Sequence, residues 1–325
     1  MKLGLAHLAF SFLVPAFAAC TDKGNTTIPA DRAPRVTLAM IPKGTTHVFW
    51  KAVEGGAKQA AGELDVDLIW KGPLQEDDRA QQIQLVQQFI AQKVDGIALA
   101  PLDHTALVGP VRDAHTAKIP VVIFDSGLDG KAGQDFASFI ATNNVQAGRL
   151  GGEQLVKLLG GKGGVVLLRY VVGSASTAER EAGFLAAVHE QTAMQVLVDN
   201  RYAGATAGEA KTAALNMIDQ VRGAQGVFCP NESATNGMLL ALRQVGLAGK
   251  IHFVGFDASP PLVEALRNGE IDALVVQNPR RMGYLAVTTL VAAIKGEKVE
   301  HAIDTGAVLV TRDNMGEPEI AKLLQ

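Results

Sequence analysis

The feature that most constrains the fold of this chain is a regular alternation, from residue 35 onward, of short β-branched runs with stretches of helical periodicity. In the first such stretch Phe49, Val53 and Ala57 recur at steps of four, which places them on one face of a helix. Strands that alternate with helices predict parallel sheets with helices on both faces and right-handed crossovers. The predicted strands are Val36–Ile41, Val66–Trp70, Gly96–Ala100, Val121–Phe124, Ser138–Ala141, Val165–Arg169, Gln195–Val198, Gly226–Cys229, His252–Gly255 and Ala273–Val276.

The length of this patterned region predicts two lobes. About 290 residues follow position 34, which is more than a single core usually holds. Ten strands are also many for one open sheet, whereas two sheets of five or six strands fit the length. No Gly/Pro-rich linker or charge run divides the region, so several crossings are expected to join the lobes. The predicted fold class is therefore α/β, with two doubly wound parallel-sheet lobes.

The N-terminus predicts export. Lys2 supplies a positive charge, the residues after it are apolar or small, and small residues precede Cys20, as in a secretory signal peptide spanning 1–19. The run is marginal for a spanning helix, which needs about 20 apolar residues. Its end resembles the lipobox of bacterial lipoproteins, which implies that Cys20 is acylated and anchors the chain to a membrane. Phe17 stands where a lipobox usually has Leu, so ordinary cleavage after Ala18 is the alternative.

The segment after the predicted signal peptide is predicted to be a tether between the membrane and the folded region. Residues 20–34 are polar, contain Pro and Gly, and show no periodic apolar pattern.

The charge and cysteine content of the chain exclude two further features. The formal net charge of −3, with both signs mixed, provides no basic stripe and argues against a nucleic-acid partner. Cys20 and Cys229 are the only cysteines, so acylation of the first leaves the second unpaired and the fold without a disulfide.

Polar and aromatic residues follow most of the predicted strands. In open parallel sheets ligands bind beyond the carboxyl ends of the strands. Carboxylates accept hydrogen bonds, the planar guanidinium of Arg donates several, and the amides of Asn and Gln both donate and accept them. Aromatic rings pack against the CH faces of a ligand ring. Such a set fits a neutral polyhydroxylated ligand, either a sugar or a polyol. The candidate ligand-binding residues are Lys43, His47, Phe49, Trp50, Asp125, Asn143, Arg180, Asn231, Asp257 and Gln277.

Several of these candidates have a purely structural alternative. Asp125 and Asp257 are also placed to cap a helix or form a turn, and Asn231 is placed to cap the next helix. Arg180 falls inside a predicted helix, where a solvated surface charge is common. Of the two neighbouring rings, Trp50 is the better site candidate, since Phe49 shares its face with core residues.

No enzyme motif is present. The chain lacks the G-x-S-x-G, H-E-x-x-H, paired C-x-x-C and G-x-x-x-x-G-K-[ST] patterns. The glycine-rich run at 160–164 precedes a predicted strand, so it reads as a turn and not as a phosphate loop. The seven histidines are scattered without metal-ligand spacing. We therefore expect a binding protein with no catalytic activity, cofactor or metal.

Six segments together carry a resemblance to a known family. The chain from about Arg35 to Thr311 resembles the periplasmic sugar-binding proteins of the ribose-binding type, which feed ABC transporters and have the type I periplasmic binding protein fold. Some likeness to the branch that binds the autoinducer-2 signal is also present, at Ile41-Pro42-Lys43 and 70–73. The segments are Phe49-Trp50, 120–125, 142–148, 173–184 with Arg180, 254–257 and 277–279.

The resemblance implies a three-crossing hinge, an ABC permease as partner and a monomeric chain. It implies an N-terminal lobe of 35–142 plus 278–305 and a C-terminal lobe of 143–277 plus 306–325. The first lobe would then supply Phe49, Trp50 and Asp125. The second would supply Arg180, Asn231 and Asp257, with Gln277 at a hinge.

Two departures bear on the ligand. The ribose binders have Arg where this chain has Ser126, and Asn where it has His47, which favours another pentose, a hexose or a polyol. Lys43 would contact ligand in the autoinducer-2 branch, while Arg180 and Asp257 fit the sugar branch. Chemoreceptor-linked sensing is a compatible alternative. A sugar-responsive transcription regulator is disfavoured, because the signal and tether stand where its DNA-binding domain would be.

Overall fold

The computed structural model describes residues 35–324. The predicted signal peptide, the tether and Cys20 lie outside the described residues. Within the described range, no helix combines the length and the apolar character that crossing a bilayer requires.

Twelve strands are present in the described residues. All ten predicted strands are confirmed, Val121–Phe124 and Ser138–Ala141 with the predicted bounds and the others with shifted ends. The largest difference is at 193–202, where the strand is longer than predicted. Two short strands near the C-terminus were not predicted. The strands are β1 Thr37–Ile41, β2 Asp67–Trp70, β3 Gly96–Leu99, β4 Val121–Phe124, β5 Ser138–Ala141, β6 Lys162–Arg169, β7 Ala193–Tyr202, β8 Gly226–Phe228, β9 His252–Phe256, β10 Ala273–Gln277, β11 Ala302–Asp304 and β12 Ala307–Thr311.

The strands form two six-stranded sheets, as the predicted fold class requires. The first has the order β11-β5-β4-β3-β1-β2, and the second has the order β12-β10-β9-β8-β6-β7. All pairings are parallel except that β12 runs antiparallel to β10. This antiparallel strand forms one edge of the second sheet and is one of the two strands that the sequence did not predict.

Helices cover both faces of each sheet. Alternate residues of a strand point to opposite faces, so Leu38 and Met40 pack under the helices at 48–63 and 279–294, whereas Ala39 and Ile41 pack under those at 79–92 and 108–116. The second sheet has the helices at 144–159 and 175–189 on one face and those at 207–216, 232–244 and 260–268 on the other. The helices are α1 Val48–Glu63, α2 Arg79–Gln92, α3 Val108–Thr116, α4 Asn144–Leu159, α5 Ala175–His189, α6 Ala207–Asn216, α7 Ile218–Gly223, α8 Glu232–Gln244, α9 Pro260–Asn268, α10 Pro279–Ile294 and α11 Pro318–Leu323.

The chain passes between the two sheets after β5, after β10 and after β11. The three crossings touch one another. Thr142 Oγ1 donates to Gln277 Oε1 at 2.9 Å and lies 3.5 Å from Thr305 Oγ1. All three side chains are buried. Side chains from three separate crossings thus meet in one polar cluster, which lies beside the cleft between the lobes.

Candidate ligand-binding cleft

The carboxyl ends of both sheets face a cleft that contains most of the predicted site. Its central cavity has a volume of about 30 Å³. A water needs roughly 10–15 Å³ of such space, so the cavity in this closed arrangement is too small for a sugar ring. It is lined by nine of the ten predicted residues, Lys43, His47, Phe49, Trp50, Asp125, Arg180, Asn231, Asp257 and Gln277, and also by Glu76, Tyr170, Ser176, Thr177 and Glu232.

A larger hollow of about 600 Å³ lies at the other edge of the first sheet. Its walls include Pro120, Ala137 and Ala293, beside the amino ends of β4 and β5. Since ligands of open parallel sheets bind beyond the carboxyl ends of the strands, the interlobe cleft is the candidate site.

Lys43 joins the two lobes at one end of the cavity. It follows β1, is 3 % exposed, and its Nζ lies 3.2 Å from Asp125 Oδ2 in the same lobe. The same Nζ donates to Ser176 Oγ at 2.9 Å and to Ser174 Oγ at 3.2 Å, both in the second lobe. The charge of Lys43 is therefore balanced within its own lobe, while its hydrogen bonds reach across the cleft.

Glu76 is the centre of a second group on the first lobe. Its carboxylate accepts from Trp50 Nε1 at 2.7 Å, lies 2.6 Å from His47 Nδ1, and accepts from the Tyr170 hydroxyl of the second lobe at 3.1 Å. Burial raises the pKa of Glu76, but the charge and hydrogen bond of His47 and the charge of Lys43 outweigh it and hold that pKa at about 2. Glu76 is thus a buried carboxylate that stays ionised.

Arg180 lies in the second lobe on α5, and the structure buries it. It donates from Nε to Asn144 Oδ1 and from Nη2 to Gln277 Oε1, both at 2.8 Å. Its Nη1 donates to the carbonyl of Pro230 at 3.1 Å, and the guanidinium lies 4.1 Å from the centre of the Phe256 ring. The surface-charge alternative for Arg180 is therefore wrong, since the side chain is held on every side.

Asp125 and Asp257 occupy matching places in the two lobes. Each directly follows a strand and has a left-handed backbone, with φ of 62° and 69°. Asp257 does not cap its own helix: it accepts from the backbone N–H of Glu232 at 2.9 Å and from Gln277 Nε2 at 2.7 Å. Burial raises the pKa of Asp257 to about 6 against the lowering effects of Arg180 and Gln277. A non-glycine residue in this backbone conformation is uncommon and often marks a functional position.

Glu232 connects the second lobe to the start of α1. Its two carboxylate oxygens accept from the backbone N–H groups of Val48 and Phe49, at 3.2 and 3.0 Å. These amides lie at the helix N-terminus, where unpaired N–H groups favour a negative charge. His47, the N-cap residue, provides no side-chain cap. Glu232 therefore supplies that cap from across the cleft.

The charges that face the cavity nearly cancel. The cations are Lys43, Arg180 and His47, whose pKa is about 9. The carboxylates are Glu76, Asp125, Glu232 and Asp257. Because the two sets almost balance, a neutral ligand disturbs the cleft least. No group of three or more potential metal-ligating side chains occurs among residues 35–324.

The structure places one predicted residue outside the cavity. Asn143 is exposed and caps α4 by accepting from Gln146 N at 3.1 Å; its buried neighbour Asn144 accepts a hydrogen bond from Arg180 instead. Asn231 has both of the roles considered for it, since it caps α8 and lines the cavity. Phe49 and Trp50 both line the cavity, in an edge-to-face pair, so the structure does not select one ring over the other.

Sequence reasoning missed Glu76, Tyr170 and Glu232 as site residues. Tyr170 directly follows β6 and Glu232 stands next to Asn231, so both satisfy the rule that selected the other candidates. Glu76 lies in a loop well beyond the end of β2, and no sequence pattern indicates that this loop folds back to His47.

The salt bridge between His47 and Glu76 predicts a pH-dependent stability. Burial lowers the pKa of His47. The charge and hydrogen bond of Glu76 and the charges of the more distant Glu232 and Asp257 raise it by a larger amount, so the pKa rises from 6.5 to about 9. Protonated His47 therefore stabilises the folded state fully below about pH 6.5, and this contribution is lost as the pH rises through about 9. The unfolding free energy is expected to fall by up to about 3 kcal/mol over that window, at 1.36 kcal/mol per pKa unit.

Chemical denaturation across this pH window checks the expectation. His47→Gln should remove the decline, whereas His115→Gln, at an exposed position on α3, should keep it. Asp257 and Glu76 act below this window. The raised pKa of Asp257 lowers the unfolding free energy as the pH rises from 3.8 to about 6, and the lowered pKa of Glu76 raises it between about pH 2 and 4.5. An unchanged decline in His47→Gln would show that another group causes it.

Comparison with known proteins gives consistent matches over nearly the whole described chain. Residues 38–298 match the family described as periplasmic binding protein domain. The ribose import binding protein of Salmonella typhimurium is 28 % identical over 281 residues, which cover 85 % of this chain and 90 % of that protein.

Solved structures agree with the sequence matches. A carbohydrate transporter solute binding protein from Agrobacterium radiobacter, in complex with D-arabinose, superposes with a TM-score of 0.85 at 34 % identity and covers 90 % of this chain and 99 % of that one. An ABC transporter solute binding protein from Agrobacterium vitis with bound D-fucose gives a TM-score of 0.85 at 34 % identity, covering 89 % and 100 % of the two chains.

Proposed function

We propose, from the premise that this chain belongs to the periplasmic binding protein family, that it captures a neutral sugar or polyol between its two lobes and delivers it to an ABC permease. The observation that carries this proposal is the interlobe cleft itself. Its polar side chains come from both sheets, nearly balance in charge, and are hydrogen-bonded to one another around a cavity of about 30 Å³.

The ligand would take the place of these internal hydrogen bonds. When the lobes separate, Lys43, Asp125, Arg180 and Asp257 lose partners across the cleft or face water. A sugar hydroxyl both donates and accepts, so a ring with several hydroxyls can satisfy carboxylates, amides and the guanidinium together. The rings of Phe49 and Trp50 are then available for the CH face of the sugar.

Closure in this account is driven by contacts that only the closed form makes. A ligand shifts a conformational equilibrium only through its different affinity for the two states. The hydrogen bonds from the backbone N–H groups at the start of α1 to Glu232, and from the Tyr170 hydroxyl to Glu76, join the lobes directly. A sugar bonded to both lobes would add to these, with the crossings near Thr142, Gln277 and Thr305 as the hinge.

The lobe boundaries, location, oligomeric state and lipid anchor are proposed on the basis of the same family membership. We infer lobes of 35–142 plus 278–305 and of 143–277 plus 306–325, an extracytoplasmic location, a monomer, and a lipid on Cys20. The relatives are named as binding proteins, and we propose that this chain likewise returns its ligand unchanged, without catalysis.

Thermal melting against a panel of pentoses, hexoses, polyols and autoinducer-2 tests the function. A ligand that binds only the folded state stabilises it by about 2.7 kcal/mol at 100 times its dissociation constant. For a folded domain of about 290 residues, with an unfolding entropy of about 2.1 cal/mol/K per residue, that corresponds to a rise of roughly 4 °C in Tm. Ribose, D-arabinose and D-fucose are the first compounds to test, because relatives are named for them or bind them. No shift with any sugar or polyol would contradict the proposal, and a changed ligand after incubation would contradict the absence of catalysis.

A further inference from the structure

A second cavity adjoins the polar one. Its volume is about 40 Å³, and it shares Phe49, Glu232, Asp257 and Gln277 with the first. Phe49 therefore borders both cavities, which adjoin along these four shared residues. At roughly 10–15 Å³ per water-sized group, the second cavity has room for about three such groups.

The walls of the second cavity differ in chemistry from those of the first. Beyond the shared residues they are almost entirely apolar, and they come from both lobes. The residues are Val48, Ala52, Ala258, Val276, Pro279 and Leu323. Such walls hold alkyl groups better than hydroxyls, because each hydroxyl placed against them loses its hydrogen bonds to water.

One polar group interrupts these apolar walls. Ser259 lines the second cavity, is 2 % exposed, and its Oγ has no hydrogen-bond partner among the described residues. A serine at a helix N-cap usually accepts from the amide of the second or third helical residue. Here Pro261 has no N–H, and Leu262 N donates to the backbone carbonyl of Ser259 at 2.9 Å. The hydroxyl is therefore left for a group that enters the cavity.

We propose that the second cavity is a subsite for an alkyl substituent on the sugar, with the Ser259 hydroxyl bonding an oxygen next to it. This inference rests on the proposed function. The ligand class is then a sugar with one apolar end, such as an alkyl glycoside or a deoxy sugar. Its hydroxylated ring lies among Asp125, Arg180 and Asp257, and its alkyl group lies against Ala52 and Ala258.

Calorimetric titration with matched ligands tests the subsite. Each sugar that raises Tm is compared with its own α- and β-methyl and isopropyl glycosides. Burying one methyl group is expected to tighten binding about fourfold, and an isopropyl group more than tenfold, for the anomer that enters the subsite. If every glycoside binds more weakly than its parent sugar, the subsite is wrong and the sugar-binding function stands. If neither parents nor glycosides bind, the proposed function fails with it.

Three variants locate the source of the gain in affinity. Ala52→Leu fills the second cavity and should reduce the ratio of glycoside to parent affinity at least tenfold. Lys51→Leu places the same side chain one position away, on the exposed face of α1, and should keep the wild-type ratio. Ser259→Ala should lower glycoside affinity about three- to tenfold through one lost hydrogen bond. A ratio unaffected by Ala52→Leu would place the alkyl group elsewhere and overturn the assignment.

Discussion

Replacing Arg180 with alanine is expected to raise the dissociation constant of the bound sugar at least about a hundredfold. The guanidinium is 3 % exposed and makes hydrogen bonds to Asn144, Pro230 and Gln277. Truncating one partner of a buried, charge-assisted hydrogen bond to a bound partner costs about 2–5 kcal/mol of binding free energy, and about 2.7 kcal/mol already corresponds to a hundredfold change in the dissociation constant. The loss also leaves Asp257 buried without the cation that lowers its pKa.

Titration calorimetry on Arg180→Ala, Arg180→Lys and Arg112→Ala separates the contributions. Lysine keeps the charge but cannot reproduce the planar fork, so Arg180→Lys should also bind weakly. Arg112 is exposed on α3, and its replacement should leave the affinity unchanged. Circular dichroism confirms that each variant is folded at the titration temperature. Wild-type affinity in both Arg180→Ala and Asp257→Ala would remove both residues from the site.

The second large effect is expected for Gly148→Ala, which should destabilise the fold by about 3 kcal/mol or more. A Cβ at this position would lie 1.9 Å from the backbone carbonyl oxygen of Arg180, because α4 crosses α5 at that point. Gly183 is the reciprocal contact, with a Cβ position 2.0 Å from the carbonyl oxygen of Val145. Overpacking typically costs about 1–3 kcal/mol, and here backbone must move to relieve it. The same movement would displace Arg180, so the affinity for the sugar should fall together with the unfolding free energy.

Thermal unfolding of Gly148→Ala and Gly62→Ala provides the comparison. Gly62 also lies within a helix, α1, but a Cβ there would meet no atom within 4 Å. Alanine at such a position should stabilise by roughly 0.5–1 kcal/mol, since glycine is a poor helix former. Equal stabilities of the two variants would mean that α4 and α5 are not packed as closely as described.

The fold was largely predictable because its strands are buried on both faces. β3 and β4 consist entirely of buried residues, so they read as short continuous apolar runs between helical patterns. β11 was not predictable in this way, since it has three residues, none of them buried. β12 is apolar except for its last residue but mostly half-buried, and nothing in its composition encodes its antiparallel pairing with β10.

The candidate site was predictable where a side chain directly follows a strand, as at Lys43, Asp125 and Asp257. The site was less predictable where the direction of a side chain depends on how the surrounding helices pack. Asn143 and Asn144 have the same chemistry, and only the start of α4 decides that the first caps the helix and the second faces Arg180. Glu76 enters the site through contacts with His47 and Trp50 that no local pattern encodes.

A crystal structure of the protein with the sugar that most raises its Tm would show where that sugar binds. We expect one sugar between the lobes, with its hydroxyls within hydrogen-bond distance of Asp125, Arg180 and Asp257 and its CH face against Phe49 or Trp50. We also expect the internal hydrogen bonds of the cleft, such as that from Arg180 to Gln277, to be replaced at least in part by bonds with the sugar. A sugar bound elsewhere, with the residues of the cleft still bonded to one another, would overturn the proposed function.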